Sequence, residues 1–136
     1  MKTLKLKAEL DNLQDTLAFV DEFLESVDCP MRVQLQIDVA VEELYVNVAS
    51  YAYAPDTGDI EVRIWFEEAK REVAISFIDS GVPYNPVEKR DPDTSLSAEE
   101  RQIGGLGIFM VKKSMDSLEY RYEDNQNIVT IRKKLL

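Results

Sequence analysis

The chain has 136 residues, a formal net charge of −10, no histidine and a single cysteine. That length is one domain (1–136), burying roughly two-thirds of its unfolded surface, so no disulfide is needed and Cys29 has no intrachain partner. Without histidine, His-ligated metals, Ser–His or Cys–His nucleophile pairs and phosphohistidine chemistry within the chain are excluded, and 16 scattered Lys and Arg against 26 acids argue against nucleic acid.

Residues 3–8 alternate, with Leu4, Leu6 and Ala8 on one side, which predicts a first strand and leaves no apolar core for a signal peptide. Asp11 then reads as an N-cap, followed by Leu13, Leu17, Val20, Leu24 and Val27 at helical spacing. Asp28-Cys29-Pro30 breaks that helix, and a second is predicted over about 30–50, with Val33, Ile37, Val41, Leu44 and Val48 as its apolar stripe. Residues 54–58 form a turn by composition. Ile60, Val62, Ile64 and Phe66 alternate, as do Val73, Ile75 and Phe77, which predicts an antiparallel hairpin. From Ser80 to Gly104 no period is sustained, and a stretch of that length in a compact domain reads as a lid or as disorder.

A helix is predicted after Gly107, on Ile108, Val111 and Met115. A strand follows through Leu118, Tyr120 and Tyr122, then a turn over 123–127 and a last strand over 128–134. The order β-α-α-β-β-lid-α-β-β is satisfied by one sheet covered on one face by helices, a two-layer α/β sandwich. No stretch approaches the ~20 apolar residues of a membrane span. A cytoplasmic protein, with no membrane as partner, is expected.

Four of the five glycines fall in two clusters, Asp79-Ser80-Gly81 and Gly104-Gly105-Leu106-Gly107. Glu43 and Asn47, one turn apart on the second helix, precede both. A carboxylate there can accept a proton from an attacking hydroxyl, and an amide oxygen can ligate Mg²⁺ when phosphates and waters complete the shell. Each is equally an ordinary surface residue when read alone. Asp79 closes an apolar strand, where a carboxylate can accept from an exocyclic amine such as adenine N6. Gly81 would leave room for the base, although Asp-x-Gly also suits a plain strand-end turn. Gly104–Gly107 opens a helix whose free N–H groups make an anion site, and it lacks the Lys-Ser/Thr of a Walker loop.

Glu43-Leu44-Tyr45-Val46-Asn47, Asp79–Pro86 and Gly104–Gly107 resemble the N, G1 and G2 boxes of the GHKL (Bergerat-fold) ATPases, over nearly the whole chain. Within that superfamily the likeness is to the bacterial anti-sigma-factor serine/threonine kinases. Pro83 stands where the superfamily has a second glycine, and Pro83-Tyr84-Asn85-Pro86 is typical of those kinases. The resemblance implies a Bergerat-type sandwich on one mixed, mostly antiparallel sheet, with a lid at about 82–103. It implies Glu43 as general base, Asn47 as Mg²⁺ ligand, Asp79 as adenine N6 acceptor and Gly81 as the close-approach glycine. Gly104, Gly105, Leu106 and Gly107 would contact the phosphates of ATP, and Thr130 would lie on the strand near the adenine. The implied activity is phosphorylation of a Ser/Thr on a small STAS-type antagonist protein, with a sigma factor as competing partner and a homodimer as the assembly. The alternative is a nucleotide-binding switch without catalysis, which would have no need of Glu43.

Overall fold

The structure, a computed structural model, describes residues 1–88 and 105–135. Most of the expected lid, 89–103, lies outside the described residues, as does Gly104. Five strands form one sheet: β1 (Lys2–Lys7), β2 (Asp59–Glu67), β3 (Glu72–Asp79), β4 (Ser117–Glu123) and β5 (Gln126–Lys134). Three helices pack on it: α1 (Leu13–Ser26), α2 (Met31–Asn47) and α3 (Gly105–Ser114). The strand order is β1-β2-β3-β5-β4.

The expected two-layer architecture is present, but every strand pair is antiparallel rather than mixed. The connections explain why. Two helices separate β1 from β2, so the chain returns in the opposite direction. The single-helix crossover through α3 carries β4 past its neighbour to the far edge, and the hairpin then inserts β5 antiparallel beside β3. A parallel pair would need that crossover to land next to β3.

Ile60, Val62 and Ile64 of β2, Ile75 and Phe77 of β3, and Val129 and Ile131 of β5 point toward the helices and are buried. They meet Val20 and Leu24 of α1, Val33, Ile37, Val41 and Leu44 of α2, and Ile108 and Val111 of α3. Burying each such side chain stabilises by roughly 1.5–3 kcal/mol before chain entropy is counted. Tyr45 is fully buried as well, and its hydroxyl donates to the Glu9 carbonyl at 2.6 Å, tying α2 to the end of β1. The other sheet face carries no helix among the described residues. There Arg132 lies over the Trp65 ring and pairs with Glu67 at 3.1 Å and Glu119 at 3.5 Å. This layer helps to cover Ala74 and Ser76 in the central strand, which are buried with no helix above them.

Element ends differ modestly from expectation. Asp11 sits in a short 3₁₀ turn (Leu10–Asn12), and Asn12, not Asp11, is the N-cap of α1. Pro30 caps α2 from outside. That helix gives way to a π-type turn at Val48–Ala52. Asp124 and Asn125 both take positive φ, 53° and 61°, as a two-residue hairpin turn requires, so β5 begins two residues earlier than predicted. Among the described residues no helix is long and apolar enough to cross a membrane.

Asp21 of α1 and Asp38 of α2 meet between the helices, and one oxygen of each is buried without a partner. Burial, then the hydrogen bond to Asp21 and the Asp21 charge, push the Asp38 carboxyl up to about 8. The folded state therefore holds a proton that the unfolded chain releases near pH 4, so stability declines as pH rises from about 4 to about 8. Asp38→Asn keeps a donor toward Asp21 without the ionisation. Thermal melts from pH 5 to 8 should show wild type losing stability relative to this variant as pH rises.

Candidate functional site

Asp79 ends β3 opposite Asn127 of β5, which puts a carboxylate and an amide side by side at the mouth of the sheet. Both are almost wholly buried. Asp79 Oδ1 accepts from Asn127 Nδ2 at 2.9 Å and from the Gly81 N–H at 2.9 Å. Among the described residues no hydrogen bond reaches its second oxygen. Burial holds the Asp79 carboxyl above the ordinary range, with those two donors offsetting only part of the rise.

Asn127 is the hub of this end of the sheet. Its carbonyl accepts from the Tyr120 hydroxyl at 2.6 Å and from the Tyr84 N–H at 3.1 Å. Its amide nitrogen donates to Asp79 and also to the Val82 carbonyl at 2.9 Å. These partners fix which way the amide points and hold the 82–84 backbone against the sheet. By composition Asn127 falls in the 123–127 turn rather than among the site residues. The available signal was the alternation Asn127, Val129, Ile131, which sets a polar residue at the end of an inward-facing row.

A pocket opens beside this pair. Leu44, Phe77 and Val129 form its apolar interior, Asn47, Asp79 and Asn127 supply polar groups, and Tyr51 and Tyr84 stand exposed at its rim. It has the make-up of a small-molecule site, mostly apolar with a few directed polar groups. The π-type turn after Asn47 brings Tyr51 and Ala52 to the pocket wall, and such turns recur at functional sites.

The predicted site residues are only partly gathered. Asn47 and Asp79 line one pocket. Glu43 lies one turn back along α2, and its carboxylate touches Gly107, where a Cβ would overlap it. The first turn of α3, which carries Gly105, Leu106 and Gly107, thus abuts the Glu43 end of α2. Gly81 is required by the backbone packing: a Cβ there would overlap the Ala52 carbonyl, which also accepts from the Val82 N–H at 2.9 Å, and Ala52 itself lines the pocket.

Thr130 is a correction. The register pairs it with Ser76, the two hydroxyl oxygens lie 2.7 Å apart, and both are on the sheet face opposite the pocket. A strand alternates its side chains, so Val129 and Thr130 cannot face the same way. Asn127 holds the place beside Asp79.

An antiparallel sheet under three helices, with a buried strand-end aspartate and a helix amide in one pocket, defines an ATPase-type α/β sandwich. The chain belongs to the histidine kinase-like ATPase domain family, whose model matches residues 6–133. Among curated relatives it is 23% identical over 129 residues to the serine/threonine-protein kinase BtrW of Bordetella bronchiseptica, covering 95% of this chain and 90% of that protein. It is 29% identical over 98 residues to the serine-protein kinase RsbW of Listeria monocytogenes, covering 68% of this chain and 61% of that one, so the match spans less than two-thirds of the latter. In fold it resembles the RsbU and RsbW domains of a Mycobacterium tuberculosis protein, with a TM-score of 0.66 and 15% identity over 99% of this chain and 33% of that one. It also resembles a chain of the SiaB–SiaC complex of Pseudomonas aeruginosa, with a TM-score of 0.60 and 13% identity over 96% of this chain and 88% of that one.

Proposed function

We propose that this chain is an ATP-binding serine/threonine protein kinase of the partner-switching, anti-sigma-factor type. The observation that carries this reading is Asp79: nearly buried, with one oxygen held by Asn127 and Gly81, in the wall of the pocket that Asn47 also lines. A carboxylate so placed accepts from the adenine amine. The serine-kinase relatives named above support the activity, and a protein named with SiaC in the Pseudomonas complex supports a small partner.

Glu43, one turn from Asn47 and against the start of α3, would accept the proton of the attacking Ser/Thr hydroxyl. Backbone N–H groups at Gly105–Gly107 would bind phosphate oxygens, which is where phosphoryl transfer needs positioning and charge neutralisation. Asn47 is the residue for Mg²⁺. Among the described residues no group of three carboxylate or thiol side chains could hold a metal. The donor set therefore fits an ion that arrives with phosphates and waters rather than a resident one. The substrate in this reading is a small STAS-type antagonist, a sigma factor competes for the same protein, the assembly is a homodimer and the compartment is the cytoplasm.

The test is incubation with labelled ATP, Mg²⁺ and the STAS-type proteins of the same genome, alongside titration with an ATP analogue. Label should appear on a Ser or Thr of one of them. Asp79→Asn turns an accepting oxygen into a donor facing the adenine amine, a mismatch worth about 1–3 kcal/mol, so affinity should fall at least about fivefold and discrimination against GTP should weaken. Nucleotide binding with no label on any protein would leave the non-catalytic switch as the reading. Unchanged affinity of Asp79→Asn would refute this placement of the base.

A further inference from the structure

A helix on a protein surface normally turns polar residues outward. On α2 the outward face carries Met31, Leu35 and Val39, which are 65%, 57% and 49% exposed. They recur at i, i+4 and i+8, and the next step of that row is Glu43. Four residues of helix span about 6 Å, so the apolar row ends roughly one turn short of the proposed base. On α3, Met110 is 52% exposed and stands three residues from Gly107, which touches Glu43. Apolar side chains therefore flank Glu43 along α2 and across on α3, while Asn47 on its far side leads into the pocket.

We infer that the Met31–Leu35–Val39 ridge, with Met110, is the docking surface for the protein substrate, and that its occupant is an apolar helix face of the small STAS-type phosphoacceptor. This rests on the kinase reading above, because the ridge matters through its continuity with Glu43. With the nucleotide in the pocket beyond Asn47, this ridge leads a hydroxyl to Glu43 from the side away from the pocket. A row at i, i+4, i+8 is what packs into the groove of a second helix. Charge argues for a different partner rather than a second copy. Exposed Asp28 and Glu42 bracket the ridge, Arg32 is the exposed cation within it, and the chain carries a net −10. A partner with basic residues at its rim is attracted, whereas two copies repel.

The test uses the full chain with Mg·ATP and, as probes, the STAS-type proteins of the same genome. Leu35→Glu and Val39→Glu place a charge on the ridge without touching the core, and Leu35→Met restores an apolar side chain. Each glutamate variant should raise the KM for the protein substrate by about tenfold or more, the loss expected for an apolar anchor, while KM for ATP and the melting temperature hold. Leu35→Met should transfer as wild type does. If the glutamate variants keep the wild-type KM, the docking surface is refuted and the kinase reading stands. If no probe is phosphorylated but one binds and Leu35→Glu abolishes that binding, the docking surface stands and the kinase reading falls. If no probe is bound or phosphorylated by wild type, the assigned occupant is wrong. If Leu35→Glu splits a dimer in sedimentation while the substrate KM is unchanged, the ridge belongs to a second copy and the inference is overturned.

Discussion

Glu43→Ala is expected to lower phosphotransfer by about 10²–10⁴, the usual worth of a general base, while ATP-analogue affinity stays within a few-fold of wild type. The split follows from where the two residues lie. Glu43 is outside the pocket lining and touches Gly107, so its removal takes nothing from the base-binding cavity. Asn47 lines the cavity, and Asn47→Ala should instead weaken nucleotide binding and make what remains insensitive to Mg²⁺. Single-turnover transfer to a verified substrate, paired with calorimetric titration of both variants with and without Mg²⁺, reads the two defects apart. Full transfer by Glu43→Ala would end its assignment as base. One shared defect in both variants, including unfolding, would mark the pair as structural.

Asn127→Leu should have the larger effect on the fold. It strips partners from the Tyr120 hydroxyl and the Tyr84 N–H, and it removes one of the two donors on Asp79 Oδ1. Asp79 is the buried group among these, and a buried polar group short of a donor costs about 1–3 kcal/mol, so a loss of that order is expected, together with the loss of measurable ATP binding. Asn127→Asp provides a control of nearly equal shape. It sets a second carboxyl against Asp79, and the pair must then hold a proton in the folded state. Both groups are thereby raised, so the variant's stability should be closest to wild type near pH 4–5 and fall as pH rises toward 7. Thermal melts across that range give the sign. An Asn127→Leu protein with wild-type melting and affinity would show that the amide does not organise the site.

The helices and the β2–β3 hairpin were legible because their apolar spacing is long and regular. The stripes of α1 and α2 read from spacing are for the most part the ones that pack, Val20 with Leu24 and Val33 with Ile37, Val41 and Leu44. Local pattern could not give the sheet order. The intercalation of β5 between β3 and β4 depends on where the α3 crossover lands, a long-range event that no window of residues records. Asn127 was hidden for the same reason. A polar residue after Asp124-Asn125-Gln126 reads as turn until β3 lies beside it and supplies Asp79. Thr130 had the opposite problem: the alternation Val129-Thr130-Ile131 already set it outward, and the family likeness outweighed the pleat.

The sheet face that carries no helix among the described residues has one practical consequence. The chain's only indole, Trp65, sits there under Arg132, with the thickness of the sheet between it and the pocket. Its emission reports whether the sheet is intact and is insulated from what enters the cavity, while Tyr51 and Tyr84 stand at the rim. Ligand titrations followed by indole fluorescence would be silent on a protein that binds well. The same signal gives a clean optical record of unfolding for every variant above.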